Sequence, residues 1–228
     1  MPEKFVVGID EAGRGCVLGP LVIGAFAVAE GEEQMLKAAG AKDSKLLSAS
    51  QREALREKLS AMGVGETIHI PATELDELMG KKISLNEIEA MKIGELLKKL
   101  QKKLSAKGGV IVKVFADSPD PGAVRFTGRI SKYFKAAEGV IECSNHAEGK
   151  WPPVASASIF AKVERDAEIE KIKVVVKEDF GSGYSSDPRT IEFLKRRYAE
   201  GAVSKFVRHK WATVKNLQTA QLNLGKYV

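Results

Sequence analysis

Cysteine and histidine are scarce in this 228-residue chain. The two cysteines, Cys16 and Cys143, form no CxxC pair, which argues against a disulfide scaffold or a thiolate metal site. The three histidines, His69, His146 and His209, are far apart and make no HxxxH spacing, so a zinc hydrolase is disfavoured. No apolar run reaches the roughly 20 residues of a membrane helix, and the opening MPEKFVVGID lacks the basic-then-apolar layout of a secretory signal. A reduced, cytoplasmic protein with no membrane association is expected. There is no GxSxG elbow and no GxxxxGK[ST] loop, so acyl transfer and nucleotide-triphosphate hydrolysis have no support. Internal repeats and low-complexity segments are also missing.

What is present suits a folded domain. Hydrophobic residues make up 44% of the chain and charged residues of both signs 29%, enough for a sizeable core without staples. The net charge of +6 favours a polyanionic partner through counterion release, although an ordinary basic protein has the same balance.

Periodicity gives an interleaved order. Phe5 to Ile9 and Leu21 to Val28 read as buried strands of an opening hairpin, with a Gly-rich turn at Gly13-Arg14-Gly15. Ser48 with Gln51 forms a capping box for a helix to about Met62, and Thr67 to Ile70 reads as a strand. A second box, Ser84 with Glu87, starts a long amphipathic helix to Leu104, whose Lys98, Lys99, Lys102 and Lys103 form either a phosphate-facing or a merely solvated face. Strands follow at Val110 to Ala116 and Val140 to Cys143, with a helix around Val124 to Phe134 between them. Ala155 to Val163 is a helix of small residues that suits close packing on a sheet, and Asp187-Pro188 opens another through Tyr198. The order predicts an α/β fold, a mixed central sheet flanked by helices, with a C-terminal helical segment.

Acidic residues stand at strand ends. Asp10 and Glu11 directly follow an apolar strand; adjacent strand residues face opposite ways, so both reach one site only if the strand breaks, which Gly13 and Gly15 would permit. Asp117 ends the strand from Val110 and precedes Ser118-Pro119-Asp120-Pro121, where the chain must turn. Carboxylates at neighbouring strand ends converge, and converging acids call for a hard cation such as Mg²⁺ or Mn²⁺. On the residues alone, an exposed acidic turn for Asp10 and Glu11 and an N-cap or turn role for Asp117 remain open.

The stretch Gly8-Ile9-Asp10-Glu11-Ala12-Gly13-Arg14-Gly15 with Leu18-Gly19-Pro20 resembles the signature of the ribonuclease HII family, with archaeal members the nearer match. The resemblance continues at Lys42 to Leu46, Ala116-Asp117, Ala155 to Asp166 and Gly181 to Pro188. It implies an RNase H-like catalytic core, taken as residues 1–180, and a helical substrate-binding segment, 181–228. It implies that Asp10, Glu11, Asp117 and a fourth acid, Glu148, are catalytic and hold two Mg²⁺ or Mn²⁺ ions. It also implies that the Gly13-Arg14-Gly15 backbone contacts the ribose 2′-hydroxyl, that Tyr184 stacks on the neighbouring sugar, and that Ser44 and Lys45 contact phosphate. The family usually reads Ala-Asp-x-Lys-x-Pro where this chain has Ala147-Glu148-Gly149-Lys150-Trp151-Pro152, and Cys16 replaces a usual proline.

The implied reaction is hydrolysis of the RNA strand of RNA/DNA hybrids and cutting 5′ of ribonucleotides embedded in DNA, by two-metal catalysis that leaves a 5′-phosphate. Another nuclease of the same superfamily, or a hybrid-binding protein that has lost turnover through Glu148, are the competing expectations. The protein is expected to be a monomer. Gln221, Leu224 and Tyr227 are loosely similar to a sliding-clamp-binding peptide.

Overall fold

The computed structural model describes residues 1–41 and 47–224, with side chains as far as Thr219. Ser44, Lys45 and Tyr227 lie outside the described residues. The strands are β1 (Glu3–Ala12), β2 (Leu21–Ala29), β3 (Val64–Ile70), β4 (Gly109–Asp117) and β5 (Val140–Ser144). The helices are α1 (Glu33–Ala39), α2 (Ala49–Ser60), α3 (Ala72–Gly80), α4 (Leu85–Ser105), α5 (Ala123–Ile130), α6 (Pro152–Val176), α7 (Pro188–Arg197), α8 (Gly201–Ser204) and α9 (Ala212–Leu224).

The strands form one mixed sheet in the order β3-β2-β1-β4-β5. β1 runs antiparallel to β2 and parallel to β4, which is parallel to β5. The architecture is therefore the expected α/β fold, a mixed sheet flanked by helices with a helical C-terminal region. Among the described residues no helix is long and apolar enough to cross a membrane.

The contacts divide the chain into two compact units, each made of three segments. The first comprises Met1–Ala12, Val22–Ile68 and Asn86–Glu164; the second comprises Gly13–Leu21, His69–Leu85 and Arg165–Val228. In the first, the central strands are covered on both faces, so β1 and β2 are near-continuous apolar runs and not alternating ones. The start of α6 packs closely because Gly8 and Gly24 present no side chain. A Cβ on Gly8 would lie 2.0 Å from the carbonyl carbon of Pro153, and one on Gly24 2.4 Å from the carbonyl oxygen of Ala157. The long α4 buries Ile88, Ile93, Leu96, Leu97, Leu100 and Leu104. On its outer face, Lys99 and Lys103 pair with Glu66 at 2.8 and 2.7 Å, which makes this face a solvated ion-pair surface.

The second unit has its own core, in which Val17, Leu18, Ile169, Ile172, Phe180, Phe193, Leu194 and Val207 are buried together. Two short bridges, Cys16 with Tyr184 and Leu18 with Val207, tie the loop after β1 to the C-terminal segments of this unit.

Three local details differ from the sequence expectations. The helix expected to reach Phe134 ends at Ile130. The helices α1 and α3, with seven and nine residues, were not foreseen, since so few turns leave little periodic pattern to read. The third difference is the unbroken course of β1 through Asp10 and Glu11 to Ala12.

Candidate metal centre

β1 pairs with β2 as far as Ala12, so Asp10 faces Gly24 in register and Glu11 faces Ile23. The parallel ladder to β4 stops earlier, at Ile9 with Ala116. Asp10 and Asp117 are the next residues on their strands, and beyond them β1 has no ladder partner on the β4 side. That free flank replaces the strand break that the sequence suggested. One ligand oxygen from each of Asp10, Glu11 and Asp117 lies within 4.8 Å of the others.

Such a cluster is electrostatically costly, and the buried member shows it. The Asp10 carboxyl is pushed up to about 7, first by burial, with the Asp117 charge adding to the rise. Opposing it are the Lys162 ammonium, the Ser158 hydroxyl and the Glu11 amide, which donates to Asp10 Oδ1 at 2.8 Å. The donor set is all carboxylate oxygen, which fits a hard divalent cation such as Mg²⁺ or Mn²⁺. A cation there would supply the charge that burial and mutual repulsion otherwise demand from a proton.

Asp117 also organises the loop beyond it. Its Oδ1 accepts from the Ala147 amide at 2.7 Å. Asn145 Nδ2 donates to the Ser118 and Asp120 carbonyls at 2.8 and 2.9 Å, and Arg129 Nε donates to Asp120 Oδ2 at 3.1 Å. The turn Ala147–Gly149 starts from His146, which sits in the left-handed region at φ 56°. It carries Glu148.

Glu148 is not one of the three mutually close acids. Its Oε2 lies 3.4 Å from Ser158 Oγ and 3.9 Å from Lys162 Nζ, and Lys162 donates to Ser158 Oγ at 2.6 Å. Ser158 and Lys162 are one turn apart in the first half of α6, among small and apolar residues. Both lie in the family-like stretch Ala155 to Asp166, but the sequence assigned neither a role; the i, i+4 spacing of a hydroxyl and a cation was the signal available.

The second unit brings together Gly13, Arg14, Gly15 and Tyr184 of the residues singled out in the sequence. Gly13 adopts φ +82° and is buried, whereas Gly15 is exposed. A Cβ on Gly15 would contact the Tyr184 ring at 3.7 Å, so ring and loop are immediate neighbours. Arg165 stacks its guanidinium over that ring, 4.6 Å from the centroid, and donates to Cys16 Sγ at 3.0 Å and to the Ser182 carbonyl. Cys16 is a small, fully buried packing residue. Burial, then the neighbouring Cys16, raises the Tyr184 phenol above its ordinary value.

Arg208 lies beneath the same loop. It is fully buried and donates to three main-chain carbonyls: Gly13 at 2.8 Å, Arg14 at 3.0 Å and Gly19 at 3.0 Å. Burial pulls its guanidinium down to about 10, which leaves it charged at neutral pH.

Comparison with known proteins agrees with this geometry. A family profile described as Ribonuclease HII matches residues 7–214. The chain is 41% identical over 217 residues to a curated ribonuclease HII from Archaeoglobus fulgidus, covering 95% of this chain and 98% of that relative. It superposes on the crystal structure of the ribonuclease H2 from Pyrococcus horikoshii OT3 with TM-score 0.80 and 37% identity, covering 95% of this chain and 98% of the other. A structure of the PCNA:RNase HII complex from Archaeoglobus fulgidus matches with TM-score 0.79 and 39% identity, covering 93% and 96%. By its sequence over nearly its whole length and by its fold, the chain belongs to the ribonuclease HII family.

Proposed function

We propose that the ribonuclease H activity of this family, endonucleolytic hydrolysis of RNA in RNA/DNA hybrids, is carried out here with two divalent cations held by Asp10, Glu11 and Asp117, with Glu148 as a fourth acid. The same chemistry cuts a DNA strand on the 5′ side of an embedded ribonucleotide. The observation that carries this reading is the convergence of three carboxylates, one of them buried, at the ends of β1 and β4. Cations held by these acids would supply an activated water and would offset charge on the leaving 3′-oxygen. Around them the acids would hold the cations, while Lys162 and Ser158 favour the ionised form of Asp10 and lie 3.9 and 3.4 Å from Glu148 Oε2.

Selection of RNA falls to the loop and ring of the second unit. The Gly13-Arg14-Gly15 backbone reads the 2′-hydroxyl, which only RNA offers. Tyr184, held by Arg165, stacks on the adjoining sugar. The hydroxyl serves recognition and does not attack, so one ribonucleotide is a sufficient substrate. Ser44 and Lys45 are assigned to phosphate contact on the family resemblance alone.

The test is cleavage of a DNA duplex carrying one ribonucleotide, with Mg²⁺ and separately with Mn²⁺. Cutting 5′ of the ribonucleotide, lost in Asp10→Asn, supports the reading. Binding without cleavage under either metal refutes it and leaves a hybrid-binding protein. A sliding-clamp partner is a second proposal, supported by the related protein solved in complex with PCNA and by Gln221, Leu224 and Tyr227. Loss of clamp binding in a Gln221→Ala, Tyr227→Ala chain tests it.

A further inference from the structure

Arg208 is a charged side chain with no exposure, and desolvating an isolated guanidinium costs several kcal/mol unless hydrogen bonds compensate. Its bonds go to the carbonyls of Gly13, Arg14 and Gly19, all in the loop that follows β1. Trp211 covers the guanidinium, 4.9 Å from ring centroid to Arg208 Cζ. The Gly13 carbonyl also accepts from the Cys16 amide at 3.2 Å, closing a turn.

The direction of these bonds matters. In a trans peptide the N–H points opposite to the C=O of the same plane. With the Gly13 and Arg14 carbonyls both drawn to Arg208, the Arg14 and Gly15 amide groups of those two planes are turned away from it. Two successive N–H groups on one side form a small concave donor pair suited to an electron-rich oxygen. A cation on each carbonyl also polarises the peptide and strengthens the opposite N–H as a donor. Gly15 is exposed.

We propose that Arg208 is the positioning residue for ribose recognition: it pins two consecutive carbonyls inward so that the Arg14 and Gly15 amides face outward as a paired donor for the 2′-hydroxyl oxygen. This rests on the reading of Gly13-Arg14-Gly15 as the 2′-hydroxyl contact. Arg208 itself never touches substrate. Trp211 has a supporting part, since it backs the guanidinium.

The test compares two constants for wild type, Arg208→Lys and Arg208→Met: KM for a duplex with one ribonucleotide, and Ki for the all-deoxy duplex of the same sequence as competitor. The ratio of Ki to KM measures preference for the 2′-hydroxyl. The expected result is a ratio reduced at least tenfold in Arg208→Met and by an intermediate amount in Arg208→Lys, with Ki nearly unchanged. A folded variant whose ratio equals that of wild type, or in which KM and Ki rise together, overturns the proposal. If neither variant folds, Trp211→Leu is measured in the same way, with a two- to fivefold fall expected and an unchanged ratio overturning it. A wild-type ratio near one would refute the 2′-hydroxyl reading itself, whatever the variants do.

Discussion

The Lys162 ammonium lies 3.9 Å from Glu148 Oε2 while it acts on Asp10 from the same helix face. One cation is thus shared between an acid of the close trio and the acid outside it. The sharing is informative because Lys162 and a divalent metal compete for the charge of Asp10.

Removing the Glu148 charge strengthens the hold of Lys162 on Asp10. In Glu148→Gln the expected outcome is a rise of about tenfold in the Mg²⁺ concentration for half-maximal rate, equivalent to about 1.4 kcal/mol. Glu148→Asp keeps the charge and moves it back by about one carbon-carbon bond, roughly 1.5 Å, so it should lie much closer to wild type. Metal titrations of the cleavage rate decide this; equal metal requirements in Glu148→Gln and wild type would remove Glu148 from the metal centre.

The raised Asp10 carboxyl predicts a pH effect on the metal-free protein. In the unfolded chain the group ionises near its ordinary value of 3.8, whereas burial first and Asp117 next hold it at about 7 in the fold. The folded state therefore binds this proton more tightly. The associated stability is complete below about pH 4 and is lost as pH rises to about 7. Chelated wild type should melt at a lower temperature at pH 8 than at pH 5.5, and Asp10→Asn should flatten that difference. Added Mg²⁺ should raise the melting temperature more at pH 8, where it meets an ionised acid.

Much of the frame was legible in the sequence, for physical reasons that can be named. β1 and β2 announce themselves as apolar runs, α2 by Ser48 with Gln51, whose reciprocal capping bonds are present, and α7 by Asp187-Pro188. The acids were legible as carboxylates at strand ends, but their metal role came from the family resemblance, because an acidic turn or an N-cap gives the same local pattern. Short α1 and α3 were not, since they carry too few turns for a periodic signal. Arg165 and Arg208 were missed because a buried arginine bonded to carbonyls from distant segments looks, in sequence, like any surface cation. The two units are likewise hidden, each being assembled from three separated segments.

Asp187 joins the start of α7 to the loop that carries Tyr184. Its carboxyl is held at about 2, chiefly by the Ser182 amide at 2.8 Å, then by the Ser182 hydroxyl and the Arg189 amide at 2.9 Å. A depressed acid stabilises the fold above its unfolded value, and the contribution is lost as pH falls toward the folded value. Asp187→Ala should cost about 1–2 kcal/mol at pH 7, and the gap to wild type should narrow steadily below pH 4. Denaturant unfolding at pH 7 and pH 3 measures both; a gap that stays constant with pH would show that the charge contributes nothing.

Two glycines make opposite predictions from the same substitution. At Gly24 the added methyl would meet the Ala157 carbonyl oxygen at 2.4 Å and the Ala161 amide at 3.0 Å, both rigid backbone of α6. Neither can retreat without lifting the helix from the sheet. Gly24→Ala should therefore cost about 3 kcal/mol, the upper range for an overpacked core, and loosen the end of β1 where the acids sit. Gly128 lies inside α5 with nothing within 4 Å of a new Cβ. There the substitution only removes backbone freedom from the unfolded chain and should add up to about 1 kcal/mol. Urea midpoints of the two variants compare them directly. Equal effects at both sites would mean that α6 does not press on the sheet as closely as Gly24 requires.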